Sequence, residues 1–134
     1  VMPDRLRRDL PQGVSCKGEV PDADAFIRDK QILIVPLRSG GGIRVKILEA
    51  MAAGKLVIST ATGMQGIEAE PDIHYLRADT PAEFVAQIKK AVTDPVAALE
   101  IAGQGQALIH RYHDRDRIMN GLITRLEQIL AEDR

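Results

Sequence analysis

The sequence predicts an α/β fold, with a parallel sheet flanked by helices in three layers. Three observations carry this. Ile32 to Leu37 is an unbroken apolar run rich in β-branched residues, the pattern of a parallel strand covered on both faces. Ser39-Gly40-Gly41-Gly42 follows as a turn, and from about Ile43 to Ala53 the apolar positions Val45, Leu48, Met51 and Ala52 recur at helical spacing, with Gly54 as C-terminal stop. Leu56-Val57-Ile58 gives a second buried strand, so the stretch from Ile32 to Thr60 reads as strand, Gly-rich loop, helix, strand, a parallel crossover.

The other elements follow in order. Pro3-Asp4 starts a short helix carrying Arg5, Arg7 and Arg8, read as a solvated face. Val14 to Lys17 is a short strand with Cys16 as core filler, Gly18 to Asp24 its loop, and Ala23 to Lys30 a helix. After Thr60, the loop Ala61 to Gly66 lies at the carboxyl edge of the sheet beside the Gly-rich loop, placed to close over a ligand, unless Gly66 and Ile67 simply begin a helical turn. His74 to Leu76 is a weak strand. Phe84, Val85, Ile88, Ala91 and Val92 form a helical packing stripe that ends at Asp94-Pro95. Leu99, Ala102, Leu108 and Ile109 continue it less cleanly, because Gly103 and Gly105 weaken the middle. Ile118 to Leu130 is the clearest amphipathic pattern.

Composition excludes several classes. The 134 residues suit one domain, and 18 Lys+Arg against 19 Asp+Glu leave a formal charge of -1, with no Trp and 3% aromatics, so neither a basic surface nor base-stacking platforms point to nucleic acid. No apolar run approaches the length of a membrane span, and one cysteine forms no internal disulfide. No Gly-Lys-Ser/Thr is present, and Gly40 to Gly42 do not fit GxGxxG, which removes two common phosphate motifs. His110 and His113 have no evident third metal ligand, and no nucleophile–base set or paired carboxylates are readable.

The Gly-rich loop is the candidate site. In open α/β folds, ligands bind at the carboxyl edge of the sheet, and helix N-terminal amides favour anions, so a phosphate or pyrophosphate fits against Gly41, Gly42 and Ile43, with charge added by Arg44 and Lys46. Helical side chains lean toward the N-terminus, so Glu49 would reach a sugar with adjacent hydroxyls beyond the phosphate. A solvated glutamate and a loop that only turns the chain are the plainer alternatives.

PLRSGGGIRVKILEAMAAGKLVIST followed by TGMQGIEA resembles the C-terminal domain of retaining GT-B glycosyltransferases of family 4, group 1, and the likeness extends back through VSCKGEVPDADAFIRDKQILIVPL. The resemblance implies a Rossmann-like domain over residues 1–134 that binds a nucleoside-diphosphate sugar. Glu49 falls on the glutamate that holds the ribose hydroxyls. Gly40, Gly41 and Gly42 fall where backbone amides meet the diphosphate and donor sugar. Gly18 and Val20 fall on the loop bordering the base. Gly41 stands where the family usually has a first glutamate, which leaves the contacts to the transferred sugar open. The resemblance further implies a hexosyl transfer in the full-length enzyme with no cofactor and no obligatory metal. The acceptor, a sugar or lipid, would be bound by an N-terminal domain, and the enzyme would be cytoplasmic or peripheral to the inner membrane. Against that pattern the first strand-helix units are missing, so the chain reads as N-terminally truncated and inactive alone, with a sheet edge exposed or self-associating. Two other readings are a sugar-nucleotide 2-epimerase-like domain and a non-catalytic α/β interaction module.

Overall fold

A computed structural model describes residues 10–112 together with 123–125, 128 and 131. The arginine-bearing segment before residue 10, His113, and all but Ile123 of the stripe from Ile118 to Leu130 lie outside these residues. The element order is α1 (Ala23–Arg28), β1 (Ile32–Val35), α2 (Val45–Ala52), β2 (Leu56–Ser59), β3 (Leu76–Arg77), α3 (Pro81–Thr93) and α4 (Pro95–Tyr112). The three strands form one parallel sheet in the order β1-β2-β3, with Ile34 opposite Ile58 and Ile58 opposite Leu76.

Strand alternation divides the core between the two faces of this sheet. Leu33, Val35, Val57 and Tyr75 face a layer made by Ile47, Ala50 and Met51 of α2, Ile27 of α1 and Ile109 of α4. Ile32, Leu56, Ile58 and Leu76 face Phe84, Ile88 and Ala91 of α3 and Ala98, Ile101 and Ala102 of α4. The long α4 therefore serves both layers, one with each half. β2 is buried along its whole length because, among the described strands, it is the one with a neighbour on each side.

Local chemistry explains where the elements begin and end. The Asp22 carboxylate caps α1 by accepting from the amides of Asp24 and Ala25, and the bond from Ala25 is the main cause holding its carboxyl below the usual aspartate range. α2 ends as predicted at Gly54, whose φ of +70° suits glycine, with Gly54 N–H donating to Met51 O and Lys55 N–H to Ala50 O. Thr80 and Glu83 form a capping box at α3 with Pro81 in its first turn.

Several expectations are corrected. Val14 to Lys17 forms no strand: Val14 and Cys16 are exposed rather than core, and no described strand lies beside the segment to complete a ladder. β1 stops at Val35, two residues short of Leu37; among the described residues it is an edge strand, and with Ile34 45% exposed the face it shares with Ile32 is only partly covered. α1 stops at Arg28 instead of Lys30, and α2 begins at Val45 rather than Ile43, because Ile43 and Arg44 stay in the loop with Arg44 extended as N-cap. The third strand forms at Leu76–Arg77, later than His74, and no helix begins at Gly66–Ile67. Val85, Val92 and Leu99 are exposed, the last by 71%, because the burying face of α3 and α4 is the narrower one set by Phe84, Ile88, Ala91, Ala98 and Ala102. Gly103 and Gly105 do not interrupt α4, which is continuous over 18 residues.

Candidate functional site

The loop between β1 and α2 leaves the sheet at its carboxyl edge, as the crossover predicts. Gly40 and Gly42 have φ of +131° and +84°, so the turn depends on glycine at both; Gly41 is open, with nothing within 4 Å of where a Cβ would stand. Helix α2 begins with Arg44 at the N-cap in extended conformation and with no side-chain cap. The first amides to find an acceptor are those of Ile47 and Leu48, both bonded to Arg44 O. Among the described residues, no acceptor meets the amides of Gly41, Gly42, Ile43, Arg44, Val45 or Lys46. A run of uncovered donors at the positive end of a helix is what an anion requires.

Arg44 braces this loop. Its Nη1 donates to Gly41 O at 2.6 Å, and its Nη2 lies 2.7 Å from where a Gly40 Cβ would stand, so the guanidinium occupies the space that glycine leaves. The Nε of Arg44 is shut off from solvent without a hydrogen-bond partner among the described residues. Arg44 is thus placed at the loop, though its guanidinium is turned onto backbone.

Lys46 and Glu49 lie one turn apart on α2, with Lys46 Nζ donating to Glu49 Oε2 at 2.6 Å and standing 3.8 Å from Asp24 Oδ1 of α1. The hydrogen bond to Glu49, chiefly, holds the Lys46 ammonium above its usual range. Glu49 is therefore neither simply solvated nor free, and it lines a groove of about 470 Å³ between α1 and α2 together with Asp24, Ile27, Arg28, Ala52 and Ala53. Gly18, with φ of +65°, and half-buried Val20 lie on the segment leading into α1. Through Asp24 and Lys46, α1's first turn meets α2's first turn.

The loop after β2 closes the other side. A Cβ on Gly66 would stand 3.0 Å from Ile43 Cγ1, so this loop packs directly on the Gly-rich one. Thr60 ties them: its hydroxyl donates to Leu37 O at 2.5 Å and accepts from Gly63 N–H at 3.0 Å. Asp79, at the end of β3, accepts from Ala61 N–H at 2.8 Å and from Arg77 Nε at 2.6 Å, and the first of these is the larger cause holding its carboxyl below the usual range. Asp24, Thr60 and Asp79 were missed in the sequence. Thr80-x-x-Glu83 was a readable capping box that would have placed Asp79 at a helix entrance, whereas nothing local signals that Asp24 meets Lys46 or that Thr60 meets Leu37.

Among the described residues, no group of three or more His, Cys, Asp or Glu side chains is placed to hold a metal ion, and no helix is long and apolar enough to cross a membrane.

The family model described as glycosyl transferases group 1 matches residues 2–94. Among solved structures, the chain is similar to the C-terminal domain of a glycosyl transferase group 1 family protein, LpcC, from Francisella tularensis. The identity is 19% and the TM-score 0.70, with 84% of this chain and 60% of that one covered. It is also similar to Alr3699/HepE of Anabaena, solved in complex with UDP, at 18% identity and a TM-score of 0.69, covering 77% of this chain and 29% of that one. At these identities the likeness shows the fold, and it bears out the Rossmann-like α/β architecture. The chain spans less than two thirds of either structure. No curated protein matches it. The family match covers well over half of the sequence and includes the Gly-rich loop, α2 and β2: the chain belongs to the group 1 glycosyl transferases.

Proposed function

We propose that residues 1–134 are the donor-binding part of a retaining, family 4 type GT-B enzyme that transfers a hexosyl group from a nucleoside-diphosphate sugar to a sugar or lipid acceptor. The uncovered amides from Gly41 to Lys46 take the diphosphate, Glu49 takes the ribose hydroxyls, and Gly18 and Val20 border the base. The observation that carries this reading is the run of amides without acceptors ahead of α2, one helical turn from Glu49. Membership of the group 1 glycosyl transferases and the UDP bound by the Anabaena structure support it.

The chemistry follows from where charge develops. In glycosyl transfer, the bond from the anomeric carbon to the diphosphate oxygen breaks and negative charge grows on the departing diphosphate. Donors already aimed there act mainly in the transition state. The loop amides carry partial positive charge without reorganising, since Gly40 and Gly42 set their direction and Arg44 and Thr60 hold the loop from both sides. No metal is needed for this role. The acceptor, and any side chain that acts on it, belong to an N-terminal domain in a cytoplasmic or membrane-peripheral enzyme, so the chain alone binds donor without turnover.

Titration with UDP and with GDP, with and without Mg²⁺, followed by amide NMR tests the reading. Saturable shifts centred on Gly18, Gly41, Gly42 and Ile43, independent of Mg²⁺ and weakened in Glu49→Ala, are expected, and the tighter nucleotide names the base. A folded chain with no shift from either nucleotide overturns the proposal in favour of a module whose loop only turns the chain.

A further inference from the structure

We propose that Lys46 is a counter-ion that Glu49 and a bound diphosphate share in turn. It neutralises Glu49 until ribose hydroxyls claim that carboxylate, and it then turns to the diphosphate. The proposal rests on the donor-binding reading and assigns to Lys46 the coupling between recognition of the nucleoside and recognition of its phosphates.

The geometry supplies three reasons. The first is competition for one carboxylate. Lys46 Nζ is bonded to Glu49 Oε2 at 2.6 Å, and a carboxylate that receives two adjacent hydroxyls uses both oxygens. A carboxylate has about four acceptor sites, so the diol does not exclude the ammonium outright, but a hydroxyl donated to Oε2 draws on the same charge and loosens the ion pair. Both side chains are substantially exposed, and ion pairs in that setting contribute little net stability, so the ligand displaces Lys46 easily.

The second reason is order along the helix. At ~1.5 Å rise per residue, the last of the uncovered amides, those of Val45 and Lys46, lie about one turn of α2 from Glu49, with the Lys46 side chain between. A nucleoside diphosphate whose ribose lies on Glu49 and whose terminal phosphate lies on the amides passes Lys46 in between. The lysine stem is flexible and carries a point charge with three donors, which suits a move from Oε2 to a phosphate oxygen without any change in backbone.

The third reason is electrostatic. Asp24 stands 3.8 Å from the same ammonium and lines the same groove as Glu49. A diphosphate arriving beside two carboxylates is repelled by both, and Lys46 is the cation within 4 Å of each of them, while Arg28 also lines the groove. Arg44 does not substitute for it, because its guanidinium is committed to Gly41 O. Asp24 is also what keeps the ammonium at the groove mouth once Glu49 has turned to the ribose.

The test uses Lys46→Met and Lys46→Arg in the 134-residue chain, with calorimetric titration of UDP against uridine and of GDP against guanosine, and thermal melting as a folding control. Exchange predicts effects of opposite sign. In Lys46→Met the nucleoside diphosphate binds at least ten-fold more weakly, whereas the nucleoside binds as well as in the parent chain or a few-fold more tightly, because Glu49 is no longer occupied. Lys46→Arg restores most of the diphosphate affinity. A parent chain that binds UDP or GDP, with a folded Lys46→Met variant that loses nucleoside and diphosphate affinity equally or keeps both unchanged, overturns the exchange alone. A folded parent chain that binds neither nucleotide overturns the donor-binding reading and the exchange with it.

Discussion

Two glycines two residues apart in α4 should respond to alanine with opposite signs. Gly105 is buried against the turn that precedes β3, and a Cβ built on it would stand 2.6 Å from His74 O and 3.1 Å from Met51 Cε. Met51 ends in a flexible methyl group and can give way. The carbonyl cannot: its turn is fixed by His74 N–H bonded to Glu70 O at 3.0 Å, Asp72 N–H to Tyr75 O at 2.8 Å, and Glu70 N–H to His74 Nδ1 at 3.0 Å. Alanine gains roughly 1 kcal/mol over glycine from helix propensity. Overpacking against rigid backbone costs about 1–3 kcal/mol, and separating α4 from this turn also loosens Ile109 against Met51 and Tyr75. The net for Gly105→Ala is a loss of up to about 2 kcal/mol, or a fall in Tm of up to roughly 8 °C for a chain of this size. Gly103 has nothing within 4 Å of its Cβ position, so Gly103→Ala keeps the propensity term and gains about 0.5–1 kcal/mol. Urea and thermal melts followed by circular dichroism at 222 nm measure both. A Gly105→Ala variant as stable as Gly103→Ala would refute the claim that close approach, not helix weakness, is why glycine stands there.

The loop glycines should also differ among themselves. Gly42→Ala, at φ of +84°, is expected to lose about 1 kcal/mol in the same melts, while Gly41→Ala leaves stability unchanged. Thr60→Val keeps the shape but removes the hydroxyl that joins Leu37 O and Gly63 N–H, costing about 1–3 kcal/mol. Hydrogen exchange at Gly63 should speed up in that variant, and unchanged protection would count against the tie between the loops. Asp79 gives a pH signature. Its folded carboxyl titrates below the ordinary value of 3.8, so its contribution is complete above that pH and disappears as pH falls through the lower folded value. The stability gap between the parent chain and Asp79→Asn should therefore be constant from pH 7 to 5 and close at more acid pH, and a gap that widens on acidification would contradict the assignment.

The β1-α2-β2 unit and its loop were readable because their signals are local. An apolar β-branched run, three glycines, a 3.6-residue period and a stop glycine each act within a few residues, and α2's Gly54 end formed as written. Lys46 and Glu49 were placed correctly on the first turns of α2 by the same periodicity, whereas Arg44, expected inside the helix, is its extended N-cap. What these side chains do there was not readable. Arg44 turned onto Gly41 O, and Lys46 took Glu49 as a partner one turn away while facing Asp24 on another helix. A flexible side chain has several partners within reach, and the local fold of the loop for Arg44 and the nearness of Asp24 for Lys46 chose among them.

Sequence alone thus determined the class of the fold, the parallel crossover, the position of the Gly-rich loop ahead of a helix N-terminus, and the residue types available to an anion and a diol. These follow from backbone sterics and hydrophobic period, which each short stretch carries in itself. Only the tertiary structure decided that Val14 to Lys17 stays out of the sheet, that β1 is an edge among the described strands with Ile34 exposed, that α4 approaches the His74 carbonyl through Gly105, and that Thr60 joins the two loops at the carboxyl edge. The reason is common to all four. A strand forms where a neighbouring strand satisfies its amides, and a buried contact forms where two distant segments meet, so each depends on partners far along the chain whose presence no local pattern records.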